Sequence, residues 1–320
     1  MKKIVYVTGC LGFIGMHVTQ KCLNLGWYVI GVDKMTYASN TYILEEFLKY
    51  SNFKFINSDI NDIDRIVDCD YIINTAAETH VDNSIANSDV FLRSNVNGVH
   101  HLLKLVKENS TFRRPIFLHF STDEVYGDIE VGSHTETDLL KPSNPYSATK
   151  AAADMLILAW ARTYKVPYII LRPTNNYGVG QYVEKLIPKS IKYLGLGRKI
   201  DLHNEGKPRR TWLHVDDTAN AVIKVIESGV VNEIFNISGN YEVDNLTVVK
   251  KIFALYNKLD ITQIDNLDIW SYIVPLERAG QDVRYSINDN KLKGLGWEPL
   301  ANFDVELAKI VDFYNKKFVW

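Results

Sequence analysis

The sequence is poor in cysteine, has no long apolar run and carries no surplus of charge of either sign. Its three cysteines (Cys10, Cys22 and Cys69) are odd in number and scattered, with no C-x-x-C pair. That excludes a disulfide framework and points to reduced thiols in a cytoplasmic protein. The longest uninterrupted apolar run, Met155 to Ala161, is far short of the roughly 20 residues a membrane span needs. After Met1-Lys2-Lys3 only four apolar residues precede Thr8-Gly9, where a secretory signal has about 7–15, so no export signal is expected. The Asn-x-Ser/Thr triplets beginning at Asn109, Asn236 and Asn245 are then chance matches. Thirty-six basic against 38 acidic residues leave a net charge of −2, without the basic excess of a nucleic-acid-binding surface. The histidines show no H-E-x-x-H or paired spacing, so no metal site is expected.

What is present is a globular composition, 46% apolar and 23% charged over 320 residues. A chain of that length buries roughly three quarters of its unfolded surface and needs no staple. Up to about residue 175, compact apolar runs alternate with longer helical patterns. The runs are Ile4–Val7, Tyr28–Val32, Phe53–Ile56, Tyr71–Ile73, Ile116–Phe120 and Tyr168–Leu171; helical patterns cover Phe13–Leu25, Val90–Lys107 and Ser147–Tyr164. This alternation implies an α/β fold, a doubly wound parallel sheet with helices on both faces and ligands at the carboxyl ends of its strands. Beyond Pro173 the rhythm loosens, with helices expected over Asp216–Glu227, Thr247–Asn257 and Val305–Tyr314 and a strand over Glu233–Ser238. That half reads as a smaller, mixed α/β domain over the sheet edge.

The first strand runs into Gly9-Cys10-Leu11-Gly12-Phe13-Ile14-Gly15, a G-x-x-G-x-x-G loop opening a helix. Glycines allow the sharp turn and let backbone amides approach a pyrophosphate at the helix N-terminus. The second strand ends at Asp33, 18 residues after Gly15, where a dinucleotide fold places the acid that binds the adenosine ribose. A carboxylate there repels a 2′-phosphate by about 4 kcal/mol at 4 Å and an effective dielectric of about 20, roughly a thousandfold preference. NAD is therefore favoured over NADP, with neighbouring Lys34 softening the preference. Further on, Tyr146 and Lys150 stand four residues apart, on one face of any helix that begins there. A free tyrosine is about one part in a thousand ionised at neutral pH, and nearby positive charge makes its phenolate a usable base.

The glycine loop, Asp33, Asn95-Val96-Asn97-Gly98 and the Tyr146/Lys150 pair resemble the extended short-chain dehydrogenase/reductase superfamily. Within it, Ser121-Thr122-Asp123-Glu124-Val125-Tyr126-Gly127 resembles the nucleotide-sugar 4,6-dehydratases, as do Ala76–Asp82, Asn175–Gly178 and Glu184–Pro188. The resemblance runs almost end to end. It implies an NAD-binding Rossmann-type domain over 1–173 plus roughly 211–240, and a nucleotide-sugar domain over roughly 174–210 and 241–320. It also implies an enzyme, a lyase of deoxysugar biosynthesis acting on dTDP- or UDP-glucose, and a homodimer pairing through long helices. The Ala151–Tyr164 helix, with Met155, Leu158 and Trp160, either supplies that face or belongs to the core.

Carried over residue by residue, the resemblance puts NAD on Gly9, Gly12, Phe13, Ile14, Gly15, Asp33, Lys34, Met35, Thr36, Asp59, Ile60, Thr75, Ala76, Ala77, Thr79, Ser94, Tyr146, Lys150 and Asn176. The nucleotide sugar falls on Thr79, Thr122, Asn175, Lys185, Leu186, His203, Arg210, Asn245, Arg278 and Asp282. Lys185 and Arg210 are the cationic donors a diphosphate wants. The acids have a chemical rationale. Oxidation at C-4 acidifies the C-5 hydrogen, and elimination across C-5 and C-6 needs a base and an acid, roles for Glu124 and Asp123. Thr122 could hydrogen-bond the C-4 oxygen. Asp123 has to be protonated near neutral pH, which burial and Glu124 favour.

Departures from the family pattern cluster in the second half. Glu277-Arg278-Ala279-Gly280-Gln281-Asp282 stands for D-R-P-G-H-D, His203 for tyrosine, Arg210-Thr211-Trp212 for R-D-W, and Pro173-Thr174 for Cys-Ser. They leave the reaction type standing and the base open between thymine and uracil. A 4-epimerase, a glucuronate decarboxylase and a catalytically silent NAD-binding regulator are the rival readings.

Overall fold

The computed structural model describes residues 2–109, 114–278 and 282–317. Met1, Ser110 and Thr111 of the first Asn-x-Ser/Thr triplet, and Ala279, Gly280 and Gln281 of the departing segment lie outside the described residues. The compact apolar runs form β1 (Ile4–Thr8), β2 (Tyr28–Asp33), β3 (Phe53–Asn57), β4 (Tyr71–Asn74), β5 (Ile116–Phe120) and β6 (Tyr168–Pro173). After them come β7 (Asn175–Tyr177), β8 (Ile200–His203), β9 (Arg209–His214), β10 (Glu233–Ile237), β11 (Tyr241–Asp244) and β12 (Ile273–Leu276). Seven strands pair in the order β10-β6-β5-β4-β1-β2-β3, every pair parallel.

Side-chain alternation explains why the central runs are largely apolar on both faces. Val5, Val7, Tyr71, Ile73 and Leu118 point into one core, with α1 (Phe13–Asn24) packed on it. Tyr6, Ile72, Phe117 and Ile170 point into a second core under α2 (Gly98–Glu108) and α3 (Pro145–Tyr164). A strand buried on both faces has no polar side to show. The chain builds outward through β2 and β3 and then returns to the other side of β1 with β4. The crevice at that reversal, at the carboxyl ends of β1 and β4, is where open α/β sheets hold ligands.

The helical pattern over Val90–Lys107 is not one regular helix. A short α-turn at Asp89–Phe91 passes into a π-helical stretch, Leu92–Asn97, before α2. The wider turn brings Ser94 and Asn95 inward together, and both are buried. Asn95 brackets the Glu78 backbone, accepting from its N–H at 2.9 Å and donating to its carbonyl at 3.0 Å.

The smaller layer holds a three-stranded sheet, β11-β9-β7, and a parallel pair, β12 with β8. Helices α4 (Leu186–Gly195), α5 (Val215–Ser228), α6 (Asn245–Tyr256) and α7 (Phe303–Lys316) follow in the chain. α4, α6 and α7 pack around Tyr177, Trp212 and Phe303, whereas α5 returns to the large sheet beside α1. β9 belongs to the small sheet through His214, so the return to the large layer starts at Val215. Leu292 and Trp297 pack on the large core, the Trp297 indole donating to the Asp217 carbonyl at 3.1 Å.

Candidate active site

The glycine loop closes on itself. Gly9 has φ +69°, and a Cβ on Gly15 would lie 2.0 Å from the Gly9 carbonyl oxygen, so both positions need glycine. Gly12 caps α1 without any side-chain hydrogen bond, and the first turn carries no acid. The free amides of that turn are therefore left for an anion. Beside them runs a groove of about 710 Å³ lined by Gly9, Gly12, Asp33, Lys34, Thr36, Asp59, Ile60, Thr75, Ala76, Ala77, Thr79 and Ser94. Phe13, Ile14 and Gly15 line the adjoining cavity of about 1050 Å³ with Asn176.

Asp33 is fixed by donors from three directions: Leu11 N–H at 3.0 Å, Met35 N–H at 2.8 Å and the Ser39 hydroxyl at 2.9 Å. Met35 adopts φ +55°, unusual for a side chain of its size, and its amide turns back onto Asp33. Met35 itself is exposed and does not line the groove. Lys34 leans to Asp59 at 3.5 Å and Glu78 at 4.0 Å. Burial pushes the Asp59 carboxyl up, but hydrogen bonds from Asn61 and the charges of Lys34 and Arg93 hold it low overall. The residues present fit a dinucleotide: an amide-lined turn no side chain could occupy, and an anchored carboxylate at the far end.

Tyr146 and Lys150 owe their register to a capping box. Asn144 accepts from the Ser147 N–H at 2.9 Å, the Ser147 hydroxyl accepts from the Asn144 N–H at 3.2 Å, and Pro145 opens α3. The phenol shares a cavity with Thr122. Burial, then the Glu124 and Asp123 charges, push the phenol well above its usual range. Lys150 shares the face but turns its ammonium to the Phe120 carbonyl at 2.5 Å. Burial pushes it down to about 8, with Asp154 opposing. Tyr146 is thus a neutral phenol until more positive charge enters the cavity.

Thr122 caps the 3-10 turn Asp123–Tyr126, its hydroxyl accepting from the Glu124 N–H at 3.3 Å and donating to Asp123 Oδ1 at 3.2 Å. Burial first, and the Glu124 charge second, push Asp123 up to about 7, against Arg210. Burial also raises Glu124, opposed by Arg210, Asn144 and Lys185. Glu124 Oε2 accepts from Asn144 Nδ2 at 3.3 Å and stands 3.5 Å from the Tyr285 hydroxyl. Thr122, Asp123, Glu124 and Tyr146 line the same cavity as Phe13 and Asn176.

Thr79, Asn175, Lys185, Leu186, His203, Arg210, Asn245, Arg278 and Asp282 all line one cleft of about 1130 Å³ that reaches Glu124. Lys185 donates to the Thr79 carbonyl at 2.9 Å. Arg210 donates to the Arg209 carbonyl at 2.7 Å and the Asp282 carbonyl at 3.2 Å, and stacks on Tyr285 at 4.3 Å. Asp282 accepts from the hydroxyls of both Ser143 and Tyr285. Asn176 is turned inward, its oxygen accepting from the Thr218 hydroxyl at 2.5 Å. Residues that sequence reasoning passed over also belong here. Asp82 takes a two-pronged bond from Arg278 at 2.6 and 2.9 Å and lies 3.5 Å from His203. Asn144 was findable as a cap before Pro145; Tyr285 carries no local signal. Among the described residues no group of three or more His, Cys, Asp or Glu could hold a metal ion.

Sheet order, glycine turn and Tyr–Lys pair together define an NAD-dependent protein of the extended short-chain dehydrogenase/reductase class. The chain belongs to the NAD dependent epimerase/dehydratase family, whose model matches residues 5–238. It is 39% identical to the low-salt glycan biosynthesis protein Agl12 of Haloferax volcanii, covering 97% of this chain and 98% of that one. It is 37% identical to the dTDP-glucose 4,6-dehydratase of Haemophilus influenzae, covering 97% of each. A trifunctional UDP-glucose 4,6-dehydratase of Arabidopsis thaliana, RHM3, is 37% identical over 99% of this chain, which spans 48% of that longer protein. Among solved structures, DesIV, a dTDP-glucose 4,6-dehydratase of Streptomyces venezuelae with NAD bound, superposes with a TM-score of 0.89 at 35% identity, covering 98% and 97% of the two chains. UDP-glucuronic acid 4-epimerase of Bacillus cereus shares the fold at 23% identity, TM-score 0.88, over 98% and 99% of the chains.

Proposed function

We propose that the protein dehydrates a nucleotide-glucose, dTDP- or UDP-linked, to the 4-keto-6-deoxy sugar. The observation that carries the reading is that Asp123, Glu124 and Tyr146 line one cavity, where burial and the Glu124 charge push Asp123 up to about 7. An acid still protonated near neutrality next to a second carboxylate is what an elimination needs. It is not what a 4-epimerase needs, because no hydroxyl leaves there. Relatives named dTDP-glucose 4,6-dehydratase, at 35–38% identity over nearly the whole chain, support the same reading.

The glycine turn, Asp33 and the groove between them would hold NAD, which supplies the hydride acceptor at C-4 and the donor at C-6. Tyr146 takes the C-4 hydroxyl proton, and Lys150 on the same helix face lends positive charge to the phenolate. Thr122 orients the C-4 oxygen. Glu124, steered by Asn144, removes the C-5 proton, and Asp123 protonates the departing C-6 hydroxyl. Lys185 and Arg210 bind the diphosphate. His203, Asn245 and Arg278 surround the base.

A cytoplasmic homodimer completes the proposal. No described helix is long and apolar enough to cross a membrane. Met155, Leu92 and Val90 are about half exposed beside α3, an apolar stripe that a second copy would cover. Incubation with dTDP-glucose and with UDP-glucose tests the reaction: the product of one or both has to be lighter by one water. Glu124→Gln should slow C-5 deuterium uptake about 10²–10⁴-fold while leaving C-4 oxidation. Dehydration at the parent rate by that variant removes Glu124 from its role.

A further inference from the structure

All five side chains of β5 are buried, and one of them is a histidine. An imidazole in such a strand has to find partners, because a buried polar group left unpaired is costly. Register supplies them. Thr8 pairs with Asn74 across β1 and β4, and Asn74 with His119 across β4 and β5. The three side chains therefore lie in a row on the face covered by α3, each at most 1% exposed. They are bonded end to end, Thr8 Oγ1 to Asn74 Oδ1 at 2.6 Å and Asn74 Nδ2 to His119 Nδ1 at 3.0 Å. The row ends on Lys150, whose Nζ lies 3.5 Å from His119 Nε2. Phe117 stacks on the imidazole at 11° and holds the ring plane.

A neutral imidazole carries one ring hydrogen, and its other nitrogen accepts. With the lone pair on Nε2, His119 receives the Lys150 ammonium; Nδ1–H then donates to the Asn74 oxygen, and the Asn74 amide donates to Thr8. With the hydrogen on Nε2, only an uncharged Lys150 can face it; the Asn74 amide then donates to Nδ1 and the Thr8 hydroxyl to Asn74. The two arrangements differ by a half-turn of the Asn74 amide and by the charge on Lys150. The row therefore has two polarities, one for each protonation state of the lysine.

We propose that Thr8, Asn74 and His119 are positioning residues that hold the Lys150 ammonium and set the pH at which it is lost. The proposal rests on the dehydratase reading only for the use made of Lys150. Among the described residues Asp154, on the same helix, also acts on Lys150 by its charge, and Tyr146 stands one helical turn earlier. Asp154 is tied to Arg172 of β6 and to Ser121, so it stays in place when the row is changed. Burial and the Lys150 charge both keep His119 neutral, which leaves tautomer rather than charge as its variable.

The test is NMR of the ring nitrogens in the NAD-loaded protein with isotopically labelled histidine, against pH, beside single-turnover C-4 oxidation. His119 should pass from the Nδ1–H to the Nε2–H tautomer over the interval in which oxidation falls. His119→Phe keeps the stack and removes the acceptor, so the alkaline limb of oxidation should move down by about one pH unit. His119→Gln, whose amide oxygen can accept at the Nε2 position, should restore the parent limb. Asn74→Asp, an acceptor facing Nδ1, should move it upward; if that variant does not fold, the two His119 variants decide. A tautomer that never changes, or a limb unmoved in His119→Phe, overturns the proposal. If no nucleotide-glucose is dehydrated but the tautomer still switches, the row stands and the dehydratase reading falls.

Discussion

Asp123→Asn should make the protein more stable and less active, and the size of each effect follows from the site. The Asp123 side chain is 3% exposed, and its Oδ2 meets no hydrogen-bond partner among the described residues. Burial, then Glu124, lift its pKa from 3.8 to about 7. A carboxyl raised in this way keeps its proton in the fold after the unfolded chain has lost it. Stability therefore falls as pH climbs from about 4 to about 7, and levels off above. About three pKa units at about 1.4 kcal/mol each set an upper bound near 4 kcal/mol. Asparagine escapes that penalty but leaves an amide where Oδ2 stood, which brings the expected gain to about 1–3 kcal/mol above neutrality, or about 2–6 °C in Tm. Calorimetry at about pH 5 and about pH 8, with NAD and ionic strength matched, should show the larger gain at the higher pH. The same variant should still exchange C-5 hydrogen with solvent while losing the C-6 hydroxyl about 10²–10⁴-fold more slowly. A gain independent of pH, or water loss at the parent rate, refutes the reasoning.

Asp33→Ala should weaken NAD binding and erode up to about a thousandfold discrimination against NADP; titration with both cofactors checks it, and two unchanged affinities would move the ribose elsewhere. Gly15→Ala puts a methyl 2.0 Å from the Gly9 oxygen, so Tm should drop by an amount equivalent to about 1–3 kcal/mol and purified protein should carry less NAD. Because the hydride returns to product, the parent protein should turn over repeatedly with no added cofactor; stoichiometric release of NADH would rule that out.

The large sheet was legible because strands buried on both faces are apolar at most positions, and β1, β4 and β5 stand out as such runs despite Thr8, Asn74 and His119. The small layer was less so. β7 is Asn175–Tyr177 and β12 contains Pro275, neither with a period to detect, and the Leu292–Trp297 segment shows no sign of which core it joins. In the site, Asp123/Glu124 and Tyr146/Lys150 were readable because each set is local. Arg278 meets Asp82 across 196 positions and Tyr285 meets Glu124 across 161, so no spacing betrays them. Nor does a four-residue interval tell where an ammonium points; the Phe120 carbonyl draws Lys150 aside only once β5 and α3 are packed.

The order in which the strands occur along the chain has a consequence for synthesis. β10, which closes the large sheet beyond β6, emerges from the ribosome only after β7, β8 and β9 of the other layer. Until Ile237 is available, β6 presents an unpaired edge, and Ile169 and Leu171 lack the cover that α5 and Phe235 later share in. Such an edge pairs readily with other chains. The nascent protein is therefore most aggregation-prone while the segment between β6 and β10 is being made, and a ribosome stalled there would release a sheet already built but still open on one side.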